Sequence, residues 1–158
     1  MTYWLSGQEL NRLLDGSAVA AFEEVDESAA WVRPDQWHEV ARVMKETPSL
    51  QFDYLNAVTA VDYIEYFEVI YHLTSLQFNH AGIVKARCWG RDEPKIPSVM
   101  DIWKGADLQE REVYDLMGIV FTGRPSLKRL LLWEGFHGHP LRRDYEEVPL
   151  PYTWPPGG

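Results

Sequence analysis

The sequence holds a single cysteine, Cys88, in 158 residues. That count excludes an intramolecular disulfide, a cysteine-based zinc finger and a self-contained iron–sulfur cluster, which takes about four thiolates. Long apolar runs are missing too, since stretches such as Leu130 to Trp133 fall far short of the ~20 residues a membrane-spanning helix needs. There is no Lys/Arg run and the formal charge is −9, so nucleic acid is not expected as a partner. The opening MTYWLSGQEL lacks the charged start and apolar stretch of a secretory signal. No G-x-G-x-x-G opens a helix after a strand, and neither G-x-x-x-x-G-K-[ST] nor G-x-S-x-G occurs, so no nucleotide fold or nucleophile elbow is signalled.

What is present is core material. Hydrophobic residues make up 46% and aromatics 13%, enough for one substantial core and against disorder. The acidity is localised: residues 1–84 hold four basic and thirteen acidic side chains, whereas 85–158 hold eleven of each. Within that second half Arg124, Lys128, Arg129, Arg142 and Arg143 outnumber Glu134 and Asp144, which predicts one basic patch on an acidic protein.

Ser6 and Glu9 form a capping box with Leu5 and Leu10 as its staple, and Leu10, Leu13 and Leu14 give a short helical stripe that Gly16 could stop. Residues 19–25 and 29–32 read as a hairpin. Pro34 opens a second helix with Trp37, Val40, Ala41 and Met44 on one face, closed at Thr47-Pro48. Residues 52–63 and 66–75 follow as longer strands, with Phe67, Val69, Tyr71 and Leu73 opposite Glu68 and His72. In 82–89, Val84, Ala86 and Cys88 face one way and Lys85 and Arg87 the other, so Cys88 reads as a small buried hydrophobe and the two cations as the wet face of a sheet. The loop after Gly90 leads into helical PSVMDIW (97–103). The end of the chain, 146–158, carries four prolines and reads as an extended arm. The expectation is an α+β fold: a two-layer domain over 1–145, a mixed sheet of about five strands on two or three helices, plus that arm.

EREVYDLMGIVF (110–121) concentrates charge on a helix that Asp107 and Glu110 open as a second capping box and Gly118 closes. On the helical wheel Val113, Leu116 and Met117 cluster on one side, with Arg111, Glu112 and Asp115 opposite. Arg111 and Asp115 stand as an i, i+4 pair, flanked by Glu110 and Glu112. Three readings compete: a solvated face with local ion pairs, a surface for a partner, and a catalytic acid cluster. The last is disfavoured, because acid–base pairs sit on separate elements that split their pKa values. His137 and His139 could offer two metal ligands but lack a third at recognisable spacing, and His38-Glu39 lacks the second His of a zincin helix. Good core and no visible cofactor apparatus point to a structural or interaction subunit.

EREVYDLMGIVFTGRPSLKRLLL (110–132) closely resembles the signature of the 30 kDa subunit family of NADH-quinone oxidoreductase, respiratory complex I. Glu110, Arg111, Glu112, Asp115, Leu116, Met117, Lys128, Leu130 and Leu131 match; Arg124 stands where the family usually has His or Lys. Residues 96–119 resemble the family's loop-plus-helix entry, and GHPLRRDY (138–145), with Arg142, Arg143, Asp144 and Tyr145, its closing motif. The resemblance implies a subunit of the peripheral, hydrophilic arm of a proton-translocating complex, held on the cytoplasmic side of the membrane through that complex. It implies docking on the large quinone-site subunit (D-like) beside iron–sulfur subunits, with FMN, clusters and quinone in those partners and none in this chain. The charges of 110–115 are then expected to serve assembly. The alternatives are the equivalent subunit of a ferredoxin- or F420-linked complex or a membrane-bound hydrogenase, and a free-standing metal-dependent enzyme using His137, His139 and Asp144.

Overall fold

The computed structural model describes residues 1–14 and 22–147. In chain order the elements are β1 (Tyr3–Trp4), α1 (Gly7–Leu14), β2 (Glu24–Val25), β3 (Ala30–Val32), a 3₁₀ turn at Pro34–Gln36, α2 (Trp37–Glu46), β4 (Tyr54–Asp62), β5 (Tyr66–Ser75), β6 (His80–Trp89), β7 (Lys95–Pro97), α3 (Ala106–Met117) and β8 (Val120–Thr122). The fold is α+β. One mixed sheet runs β2-β3-β6-β5-β4, with β1 pairing with the start of β6; β1 and β3 run parallel to β6 and the other pairs antiparallel. All five expected strand regions contribute to it. β7 and β8 form a separate parallel pair.

Local chemistry explains the first two helices. Ser6 Oγ accepts from Glu9 N–H at 3.2 Å while Glu9 Oε2 accepts from Ser6 N–H at 2.8 Å, the reciprocal box read from the sequence. Helix α2 ends where Thr47 turns extended ahead of Pro48, its N–H still bonded to Val43 O. The expected stop at Gly16 and the start of the first hairpin strand at 19–21 lie outside the described residues; the hairpin itself forms with Glu24 opposite Trp31.

The core lies between the helices and one face of the sheet. Register puts Phe67 beside Cys88, Val69 beside Ala86 and Tyr71 beside Val84, all buried. Against them pack Leu10 and Leu14 of α1 and Trp37, Val40, Ala41 and Met44 of α2. The Trp37 and Tyr71 rings lie 4.4 Å apart. Burying each large side chain stabilises by about 1.5–3 kcal/mol, so Trp37 truncated to Ala would cost roughly 3–5 kcal/mol. Cys88 sits in this layer at 2% exposure, and burial pushes its thiol up to about 12.

The opposite face is not simply wet. Glu68 is 4% exposed there, accepting from Trp31 Nε1 at 3.0 Å and flanked by Lys85 at 3.4 Å and Arg87 at 3.8 Å. The indole lies beneath both cations, 4.7 Å from Lys85 Nζ, and so shields the carboxylate from water. Residues 97–103 form turns around Val99, with Ile102 and Trp103 N–H both donating to its carbonyl, rather than a helix. Trp103 anchors these turns by donating Nε1–H to Phe52 O at 2.9 Å.

Helix α3 covers the free edge of β4. Gln109 Oε1 accepts the outward Val58 N–H at 2.6 Å, giving an edge donor a partner. Gly118 takes φ +72 and ends α3 as the expected left-handed cap, its N–H bonded to Tyr114 O. Beyond β8, residues 123–147 hold no helix or strand.

Candidate functional site

Acids on α3 hold that coil in place. The stripe Ala106, Glu110, Val113, Met117 recurs at i, i+4, i+7 and i+11, and all four are buried, so Glu110 occupies a core position on the helix. Its carboxylate is 0% exposed and accepts from Ser98 Oγ at 2.5 Å, Val99 N–H at 2.8 Å and Arg124 Nη1 at 2.8 Å. Burial pushes its pKa up, and those three donors oppose the push. Arg124, 3% exposed, also pairs with Asp107 and donates Nε–H to Ser126 O at 2.7 Å. The guanidinium fork thereby reaches two carboxylates and a carbonyl, which a Lys at this position could not match in geometry.

Asp115 is the second anchor. Its Oδ2 accepts from the successive N–H groups of Leu130, Leu131 and Leu132 at 3.0, 2.7 and 2.8 Å, and Oδ1 from Arg129 Nη1 at 3.0 Å. Burial acts to raise its pKa, but the three amides and the arginine outweigh it and hold the carboxyl below the usual range. Arg129 then donates its other Nη–H groups to Phe136 O at 3.1 Å and Gly138 O at 3.0 Å. One carboxylate and one guanidinium therefore fix the path of the chain from 129 to 138.

The closing motif is held the same way. Arg142 donates to Met117 O at 2.7 Å, Arg91 O at 2.9 Å and Gly118 O at 3.3 Å, tying the end of α3 to the loop after β6. Asp62, 4% exposed, takes both Nη groups of Arg91 at 2.8 Å and Arg143 N–H at 2.9 Å. The Arg91 guanidinium holds the Asp62 carboxyl well below the usual carboxylate range. Arg91 also bonds Asp144 at 2.7 Å, lowering that pKa as well. Tyr145 stacks on Phe136 at 6.3 Å and lies over Gly138.

Several sequence expectations change. Glu110 and Asp115 are buried anchors, not members of a solvated face, while Glu112 is exposed. Arg111 does not pair with Asp115; it donates to Lys128 O at 3.1 Å and Arg129 O at 3.0 Å. Asp107 does not cap α3; it lies in the first turn of a helix that starts at Ala106 after Gly105 with no side-chain cap. The expected basic patch dissolves, because Arg124, Arg129 and Arg142 turn inward to acids and carbonyls while Lys128 and Arg143 stay exposed.

The histidine reading also meets the geometry. His137, His139 and Asp144 do line one shallow cleft of about 290 Å³. Asp144 is paired with Arg91, however, and His139 Nδ1 donates to Asp115 O at 2.9 Å. Burial, with Arg142 and Arg129 nearby, lowers the His139 pKa. Among the described residues no group of three His, Cys, Asp or Glu side chains is disposed to hold a metal ion.

The likeness to known proteins spans these residues. The family described as respiratory-chain NADH dehydrogenase, 30 kDa subunit, matches residues 30–149. The chain belongs to this family. The corresponding NADH-quinone oxidoreductase subunit of Roseiflexus sp. (strain RS-1) is 38% identical over 90% of this chain and 82% of its own. That of Chlorobium phaeobacteroides is 37% identical over 90% of this chain and 88% of its own. Among solved structures, a chain of the membrane-bound sulfane sulfur reductase, an archaeal respiratory membrane complex, superposes with a TM-score of 0.71 at 25% identity, covering 89% of this chain and 85% of that one. The chain is a complex I-like subunit. No helix among the described residues is long and apolar enough to cross a membrane.

Proposed function

We propose that the chain is a cofactor-free assembly subunit of the peripheral arm of a proton-translocating NADH-quinone oxidoreductase. It docks on the large quinone-site subunit, beside the iron–sulfur subunits, on the cytoplasmic side of the membrane; flavin, clusters and quinone are held by those partners. The observation that carries this reading is the use made of the signature charges. Glu110, Asp115, Arg124, Arg129 and Arg142 bond the chain's own backbone and one another, so they shape a surface. The surface they shape exposes large apolar side chains: Leu108, Leu131, Trp133 and Leu141 stand 42–62% accessible on α3 and the coil. Relatives at 37–43% identity carry the NADH-quinone oxidoreductase name, which favours that complex over the sulfur-reducing type of the archaeal neighbour.

The test is purification through a tag on this chain from cells making the whole complex. The reading expects the large quinone-site subunit in equal amount, and a chain that carries no flavin, iron or zinc once separated from it. A lone chain holding stoichiometric metal or flavin would return the His137, His139 and Asp144 reading.

A further inference from the structure

Within the signature, Glu112 stands apart. Glu110, Arg111 and Asp115 all turn to partners inside the chain, but Glu112 is exposed and makes no ion pair or side-chain hydrogen bond with any described residue. Beside it, between α3 and the free edge of β4, runs a groove of about 200 Å³ walled by Val58, Thr59, Ala60, Val113, Leu116 and Leu141. Glu112 is the one charged group on those walls. Arg111, its neighbour on the helix, points its guanidinium away to the carbonyls of residues 128 and 129 and leaves the carboxylate unneutralised.

The strand side of the groove is also unfinished. Along β4 the outward Val58 N–H is taken by Gln109, and strand alternation turns Ala60, two residues on, to the same edge. No other described element bonds to Ala60 on that edge. An edge with free backbone groups, an apolar trough and a single anion at its rim fits one kind of occupant.

We infer that this groove receives an extended segment of a neighbouring subunit, which bonds to the β4 edge at Ala60, places an aliphatic side chain over Leu116 and sets a Lys or Arg against Glu112. The occupant is a basic–apolar peptide segment. An acidic segment would meet Glu112 at short range, and a purely apolar one would leave the carboxylate desolvated without a partner. The inference rests on the assembly role above and places that role on the surface: α3 and its coil form a rigid wall, and Glu112 is the signature charge left for recognition.

The test uses the full chain produced together with the other subunits of its complex, with a photo-cross-linking residue replacing Thr59. The cross-link is expected in a segment of another subunit that contains Lys or Arg next to an aliphatic residue. Glu112→Arg and, separately, Thr59→Arg are expected to lower incorporation roughly tenfold or more, while Glu112→Gln has a smaller effect in the same direction. Each isolated variant chain should melt with the wild type, since both positions are exposed. Exchanging the charges, Glu112→Arg with the cross-linked cation made Glu, should restore incorporation. Wild-type incorporation of both arginine variants would overturn the inference and leave the assembly role standing, as would a cross-link to a second copy or to the chain's own 148–158. If the wild-type chain itself joins no complex, the assembly role fails and this docking with it.

Discussion

Replacing Asp115 by alanine tests the staple most sharply. The substitution removes the acceptor of three consecutive amides, at 2.7–3.0 Å, and the carboxylate partner of Arg129. A hydrogen bond to a charged group is worth about 1.5–3 kcal/mol, but the four donors share one carboxylate and do not add. Water can also reach Arg129, whose side chain is 20% exposed, and recovers part of the loss. Breaking a buried pair by deleting one member costs about 3–5 kcal/mol, and that range is expected here. At about 2–4 °C per kcal/mol for a domain of this size, the isolated chain should melt roughly 6–20 °C lower. Amide exchange locates the damage: Leu130, Leu131 and Leu132 should lose protection even where the sheet strands keep theirs. A loss under about 1 kcal/mol with unchanged exchange at those three amides would refute the reasoning, because a solvated surface acid costs no more than that.

The same carboxyl sets a pH signature. Asp115 titrates below its unfolded value, so its contribution is present above about pH 4 and lost as pH falls through the folded pKa. The stability gap between wild type and Asp115→Asn should therefore be full near neutrality and close on acidification, read by denaturant titration at stepped pH; Glu110, which burial shifts upward, has the opposite sign and is intact in both proteins. Gly118→Ala should destabilise by roughly 2–4 kcal/mol in the same assay, combining strain at φ +72 with a methyl driven into Arg142 Nη2 and the His139 ring. Arg111→Ala should cost about 1–3 kcal/mol, since its two carbonyl bonds at 3.0 and 3.1 Å are charge-assisted but only partly buried. Cys88 should resist alkylation in the folded chain and react on unfolding, because burial pushes its thiol up to about 12.

Much of the architecture was legible because it follows short periods. Alternation located β4, β5 and β6 and put Cys88 inside; the Ser6–Glu9 box and Thr47-Pro48 marked helix ends. Strands β1, β7 and β8 were missed because two or three residues hold no period, and their pairing comes from contacts distant in sequence. The charges of 110–115 stood out in the sequence, but not what they touch. Glu110 could have been placed inside from the 106, 110, 113, 117 stripe, which it shares with three apolar residues. Asp115 could not, because what buries it is a coil 14–17 residues further on whose course no propensity describes. Charged side chains read as surface until their partners are known, and here the partners are backbone amides and carbonyls. That is also why Asp62 and Arg91, which lock the closing motif, carried no signal of their own.

The most direct test of the assembly role is native mass spectrometry of the complex purified through this chain and then gently dissociated. The account predicts a one-to-one subcomplex of this chain with the large quinone-site subunit, and a released chain at the mass its sequence dictates with nothing added. A chain that leaves without that partner, or that carries the extra mass of a flavin, a metal ion or a cluster, would contradict it.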